Sequence, residues 1–215
     1  MTNKLIDQLN KAFKSKLDIF DTLMNDGASE KEISDLEKLF NQTLPKSYID
    51  LLKVYNGEKE ILGVMAGFGF LEIEDVKIQW NFFKTATAQT EPDSIYQKNK
   101  IKNQLYSVKR IPFAHDGSGN LLCIDYDPNI EGKSGQILYL PTGDPEPVSV
   151  IADDFDEFLA FLIDAVRTEK LKLTDEREEW DEEDWQQAEI YFHKSWKDDW
   201  TDIADEYNLI HTEDL

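Results

Sequence analysis

The order of hydrophobic patterns predicts an α+β fold: a mixed or antiparallel β-sheet packed with helices, followed by an acidic, aromatic-rich helical extension. Three observations carry this. Helical periodicity fills the stretch up to Tyr55, apolar runs of strand length dominate between Ile61 and Leu140, and a strongly amphipathic helix returns at 154–166. Helices, then strands, then a covering helix differ from the regular alternation that a parallel doubly wound sheet requires.

Leu5, Leu9, Phe13, Leu17, Phe20 and Met24 recur every three or four residues, one face of an amphipathic helix that "NDGAS" then breaks. Ser29 and Glu32 have the spacing of a capping box, in which each side chain satisfies a free amide at the start of the next helix. That helix turns Ile33, Leu36 and Phe40 inward. In "LPKSYIDLLKVYNG", Pro45 suits a first helical turn, Tyr48, Leu51, Leu52 and Tyr55 form one face, and Asn56–Gly57 tolerate a left-handed helix end. "ILGVMAGFGFLEI" is apolar, β-prone and punctuated by glycine, predicting one or two closely packed strands. Val76, Trp80 and Phe83 restore helical spacing. Residues 86–104 are polar and contain Pro92, a loop with room for a short helix. Strands are predicted at "YSVKRIPFAH", "NLLCIDY" and "GQILYL", separated by "DGSG" and "DPNIEGKSG". In "DDFDEFLAFLIDAV", Asp154 and Glu157 are placed for capping, and Phe155, Phe158, Leu159, Leu162 and Val166 share one stripe.

Composition excludes several function classes. An apolar content of 40 % and an aromatic content of 12 % support a real core. No apolar run approaches the roughly 18 residues of a membrane span, and "MTNKLIDQLNKAF" lacks the continuous apolar stretch of a signal peptide. A single cysteine rules out an intrachain disulfide framework, so the expected compartment is the reducing cytoplasm. The net charge of −21 repels nucleic acid phosphates and anionic membranes and favours a basic partner. It is also uneven: residues 175–215 hold 16 acidic and 3 basic residues. Four of the five tryptophans lie there too (Trp180, Trp185, Trp196 and Trp200). The expected organisation is therefore an α+β domain over 1–170 and an acidic, Trp-rich helical extension over 171–215. Trp185, Ala188, Phe192, Trp196 and Trp200, at intervals of three and four, predict a helix with an aromatic face.

Residues 111–128, "IPFAHDGSGNLLCIDYDP", gather a glycine turn, a histidine, the lone cysteine and three aspartates. A Cys123–His115 nucleophile would depend on strand register, and the apolar neighbours of Cys123 raise a thiol pKa and blunt its reactivity. Asp116, Asp125 and Asp127 lack the alternating acids of a calcium loop, and zinc lacks ligands. "DGSG" lacks the lysine and hydroxyl of a phosphate loop. Paired carboxylates such as Asp125 and Asp127 have no supporting base, nucleophile or cofactor loop. Asp and Asn stabilise tight turns, glycine supplies positive φ, and "LLCI" suits a fully buried strand. The expectation is a structural hairpin: no catalytic residue, no metal and no cofactor.

"LPKSYIDLLKVYNGEKE", a glycine-rich strand region, "IPFAHDGSGNLLCIDYDP", "GQILYL" and "VIADDFDEFLAFL" resemble, in order, the motifs of the SUKH superfamily, named partly for yeast cell-wall-assembly regulators. The resemblance spans roughly residues 29–166. It implies an α+β fold with helices packed on a mixed sheet, no catalytic residues and a protein-binding role. Bacterial members resemble immunity proteins, which neutralise a cognate toxin, commonly a nuclease or nucleic-acid deaminase of a contact-dependent or polymorphic toxin system. The eukaryotic relatives suggest the alternative of a regulatory scaffold. The extension departs from the minimal family pattern. Its tryptophans have two roles open to them, packing on the core or anchoring a partner. Within the densest acid run, Glu178, Glu179, Trp180, Asp181, Glu182, Glu183, Asp184 and Trp185 are the candidate partner-binding residues, aromatic anchors surrounded by charge.

Overall fold

The computed structural model describes residues 4–86, 91–142, 145–179, 181, 188–195 and 200–212. In chain order the elements are α1 (Lys4–Lys14), α2 (Phe20–Leu23), β1 (Met24–Asp26), α3 (Glu30–Phe40), α4 (Lys46–Val54), β2 (Tyr55–Glu58), β3 (Gly69–Phe70) and α5 (Ile73–Thr85). There follow β4 (Arg110–His115), β5 (Leu121–Asp125), β6 (Gln136–Leu140), β7 (Ser149–Ala152), α6 (Phe155–Arg167), β8 (Leu171–Asp175), β9 (Ile190–Lys194) and α7 (Trp200–Thr212). Strands β3 to β7 form one five-stranded sheet in sequence order, and β1–β2 and β8–β9 are separate two-stranded sheets. Every strand pair is antiparallel. The fold class is α+β as expected, with an antiparallel central sheet.

Both faces of that sheet are buried. Ile111, Phe113, Leu122, Ile124, Ile137 and Tyr139 point into the larger core with the helices, while Leu121, Cys123, Leu138, Leu140 and Val150 enter a second cluster with Phe83, Ile101, Leu105 and Tyr207. Alternate residues of a strand face opposite sides, so two apolar layers require an unbroken apolar strand. "LLCI" is that strand, covered on its second face by the 91–109 segment and α7.

The capping signals hold. The Ser29 hydroxyl accepts the Glu32 amide while Glu32 takes the Ser29 amide, and Asp154 accepts the Glu157 amide. Two expectations are corrected. The first helix stops at Lys14, the chain turns, and Met24 belongs to β1. The Asn25 side-chain amide donates to the carbonyls of Asn56 and Glu58 at 3.2 and 3.1 Å, so pairing with β2 overrides the helical periodicity. Leu17, Phe20 and Met24 are buried all the same. The apolar run 61–73 holds one regular strand, the two-residue β3, within the one or two expected. Strand β7 was not anticipated: it is only four residues long and runs almost directly into the start of α6.

The second correction concerns the extension, which is a hairpin plus a helix. Phe192 lies in β9 and not on a helical stripe with Ala188 and Trp200. Residues spaced by four share a face on a strand as well as on a helix, and that ambiguity misled the periodicity. The extension is nevertheless built into the main core. Phe192 meets Phe13 edge-on with ring centroids 4.8 Å apart, and Trp200 stacks on Tyr139 at 4.9 Å. Lys170 pairs with Glu206 on α7 at 2.8 Å. Trp196 lies outside the described residues.

Candidate binding surface

Strand register separates the residues of the polar hairpin. Cys123 stands opposite Pro112 and His115 opposite Leu121, so thiol and imidazole are not brought together. Cys123 is fully buried, and burial pushes its thiol pKa up, away from reactivity. Each aspartate has its own task. Asp116 accepts the amides of Ser118, Gly119 and Asn120 at 2.8, 3.1 and 3.1 Å, closing a turn in which Gly119 has a φ of +115°. Asp125 is buried beside Arg110, and Asp127 takes the Lys102 ammonium at the surface.

Among the described residues, one group has metal-ligating side chains close together: Asp153, Glu157 and His211. His211 Nε2 lies 3.3 Å from Asp153 and 3.1 Å from Glu157. The Lys133 ammonium and the Tyr207 hydroxyl already occupy the two Asp153 oxygens. Burial alone would raise the Asp153 carboxyl, but these partners hold it below the usual carboxylate range. The cluster fastens α7 to the end of β7 and the start of α6.

A groove of about 690 Å³ opens elsewhere, between α2, the segment after β2, and β9. Ile19, Leu23, Ile61, Leu62, Ile190 and Tyr191 line it, with Glu60 and Glu189 at its edge. Ile61 is 50 % exposed. Glu58 shapes the wall: its carboxylate accepts the amides of Gly63, Val64 and Phe70 at 3.0, 3.0 and 2.9 Å and that of Leu62 as well. Burial pushes the Glu58 carboxyl up to about 7, with the four amides pulling the other way. The wall is tied to β9 by the Phe192 amide, which donates to the Leu62 carbonyl at 2.7 Å. Gly63 permits this approach: its φ is +84°, and a Cβ there would lie 2.5 Å from the Phe192 oxygen.

The acidic residues singled out from sequence follow β8. Glu178, Glu179 and Asp181 are exposed, the first two in a single 3₁₀ turn spanning Arg177–Glu179. Asp175 accepts from Arg177 Nε at 2.8 Å and, with a smaller contribution from Asp18, raises the pKa of that guanidinium. Trp180, Glu182, Glu183, Asp184 and Trp185 lie outside the described residues. Ala188 and Glu189, where the description resumes, line the groove. Sequence reasoning missed Glu58 and Ile61. The available signal was an acid placed directly before an apolar, glycine-rich run.

A family model described as SMI1/KNR4 (SUKH-1) matches residues 27–160, more than half of the chain. The chain belongs to the SMI1/KNR4 (SUKH-1) family. No curated protein compared with the chain matches it. The SUKH-1 match runs from just before α3 into α6 and includes the whole five-stranded sheet and Glu58–Phe70. It excludes α1, α2, β1, β8, β9 and α7. The groove therefore lies on a seam: Lys59–Leu62 come from the SUKH-1 region, whereas Ile19, Leu23 and Ala188–His193 come from outside it. Among the described residues, no helix is long and apolar enough to cross a membrane.

Proposed function

We propose that this SUKH-1 chain is a non-enzymatic immunity protein of the cytoplasm. It binds and neutralises a cognate toxin, a basic nuclease or nucleic-acid deaminase of a contact-dependent or polymorphic toxin system. SUKH-1 proteins are known as immunity proteins of such systems. The observation that carries the reading for this chain is the placement of its charge. Residues 175–215 contribute −13 of the −21, and one of their exposed acids, Glu189, lines a partly apolar groove. A toxin that acts on nucleic acid needs a basic face, and a concentrated acidic surface accelerates encounter with it. The 1–170 domain is the scaffold in this reading, and the 171–215 extension supplies contacts from 178 to 185.

Inhibition tests it. The polypeptide encoded beside this gene should lose its nuclease or deaminase activity when titrated with the intact chain, reaching zero at one equivalent. Full activity at a large molar excess, with binding undetectable, would sink the reading. Deleting residues 175–215 is a poor control, because it removes Phe192 and Trp200 from the shared core.

A further inference from the structure

The outer edge of β9 has a direction that can be read from its hydrogen bonds. The Glu189 carbonyl accepts the Glu176 amide, and the Ser195 amide donates to the Lys170 carbonyl. Residues 189 and 195 thus face the β8 side of the hairpin. Backbone polar groups alternate sides along an antiparallel strand, so 191 and 193 face β8 too, while 190 and 192 face away. Phe192 confirms the phase, since its amide points outward to the Leu62 carbonyl. Ile190, two residues earlier, turns its amide and carbonyl the same way, into the groove it lines. Among the described residues the groove is then a wedge, closed where Phe192 meets Leu62 and open beside Ile190.

The chemistry around this open edge is selective. Ile19, Leu23 and Ile61 make an apolar floor and wall. Glu60 and Glu189 are exposed at the rim and have no ion pair among the described residues. Lys59, the cation that lines the groove, has its ammonium on the Thr22 carbonyl at 2.7 Å. Asp18, which precedes Ile19, is exposed, as are Glu178, Glu179 and Asp181 after β8. An extended segment satisfies all of these features at once: its backbone can pair with the edge, alternate apolar side chains can enter the groove, and basic side chains can reach the acids.

We propose that the groove takes a short extended segment of the partner, alternating apolar with lysine or arginine residues, as an added strand on the Ile190 edge of β9. The inference rests on the immunity reading only for the origin of the segment. The probe is an acetylated, amidated lysine–valine hexapeptide, titrated into the ¹⁵N-labelled intact chain and followed by amide shifts. Shifts should concentrate at Lys59–Leu62 and Ala188–Tyr191. A glutamate–valine peptide should bind at least about tenfold more weakly. Two further peptides, N-methylated either at every valine or at every lysine, separate strand pairing from charge attraction. At least one should lose about tenfold or more, since methylation removes ladder donors on one side.

No binding by the lysine–valine peptide, equal binding by all four peptides, or shifts confined to other surfaces would overturn the proposal. Ile61→Lys, a change at a half-exposed position, should weaken both the lysine–valine peptide and the neighbour-encoded polypeptide by at least about tenfold. If Ile61→Lys leaves tight binding of that polypeptide intact, the contact lies elsewhere and the immunity reading stands. If the intact chain fails to bind the polypeptide while the peptides behave as expected, the immunity reading falls and the groove assignment stands.

Discussion

Asp125→Ala should destabilise the protein by about 3–5 kcal/mol, the range for stranding one member of a buried ion pair. Arg110 is 1 % exposed and Asp125 fully buried, with Nε and Oδ1 3.7 Å apart. The guanidinium donates to the carbonyls of Leu105 and Lys102 at 3.0 and 3.3 Å and to that of Gln104. It thereby holds the segment that covers the second face of the sheet. Asp125 accepts from the Asp127 amide at 3.1 Å and from Gln136 Nε2 at 3.0 Å. Burial raises its carboxyl pKa against the pull of Arg110. Removing the carboxylate leaves a cation in the interior with carbonyl dipoles alone to compensate it. The double change Arg110→Met, Asp125→Leu should recover part of the loss, because it removes the uncompensated charge but still leaves the Leu105 carbonyl and the Asp127 amide without these partners. Urea denaturation of the three chains checks this. A loss below about 1 kcal/mol for Asp125→Ala would mean that water reaches the pair.

Glu58→Ala should cost about 3 kcal/mol and loosen the groove wall. The change leaves four backbone amides, those of Leu62, Gly63, Val64 and Phe70, without their acceptor. Each amide left dry costs on the order of 1–3 kcal/mol, and water reaching the opened wall recovers part of the sum. Native-state hydrogen exchange should show these four amides losing protection selectively, together with the Phe192 amide that depends on the same wall. Unchanged protection would show that the wall is held by its apolar residues and not by Glu58.

How much was legible in the sequence follows from which interactions are local. Capping at Ser29–Glu32 and Asp154–Glu157, the stripe of α6 and the turn at Asp116–Asn120 depend on neighbours within four residues, and all were readable. Strand β7 was not, since its four residues merge with the start of the strongly patterned α6. The Arg110–Asp125 pair was hidden because the residues are 15 apart in sequence and meet only across the β4–β5 ladder. In the extension, a spacing of four is compatible with both helix and strand, so Phe192 was placed on the wrong element. The acidic half of the proposed surface was visible as composition. Its apolar half was not, because Ile19, Ile61 and Ile190 come from three distant segments and converge only in the fold.

The central claim, that concentrated acidity draws in a basic protein partner, is tested most directly by association kinetics. The quadruple change of Glu178, Glu179, Glu182 and Glu183 to Gln removes four charges, two of them, at Glu178 and Glu179, on an exposed turn. Rim charges act mainly on association, whereas desolvated anchors act on dissociation. Stopped-flow binding of the neighbour-encoded polypeptide, measured from low to high salt, should therefore show the variant associating at least about tenfold more slowly at low salt. The two chains should converge as salt rises, with dissociation nearly unchanged. Identical association rates and identical salt slopes for the two chains would contradict the account and place the contact away from the acidic extension.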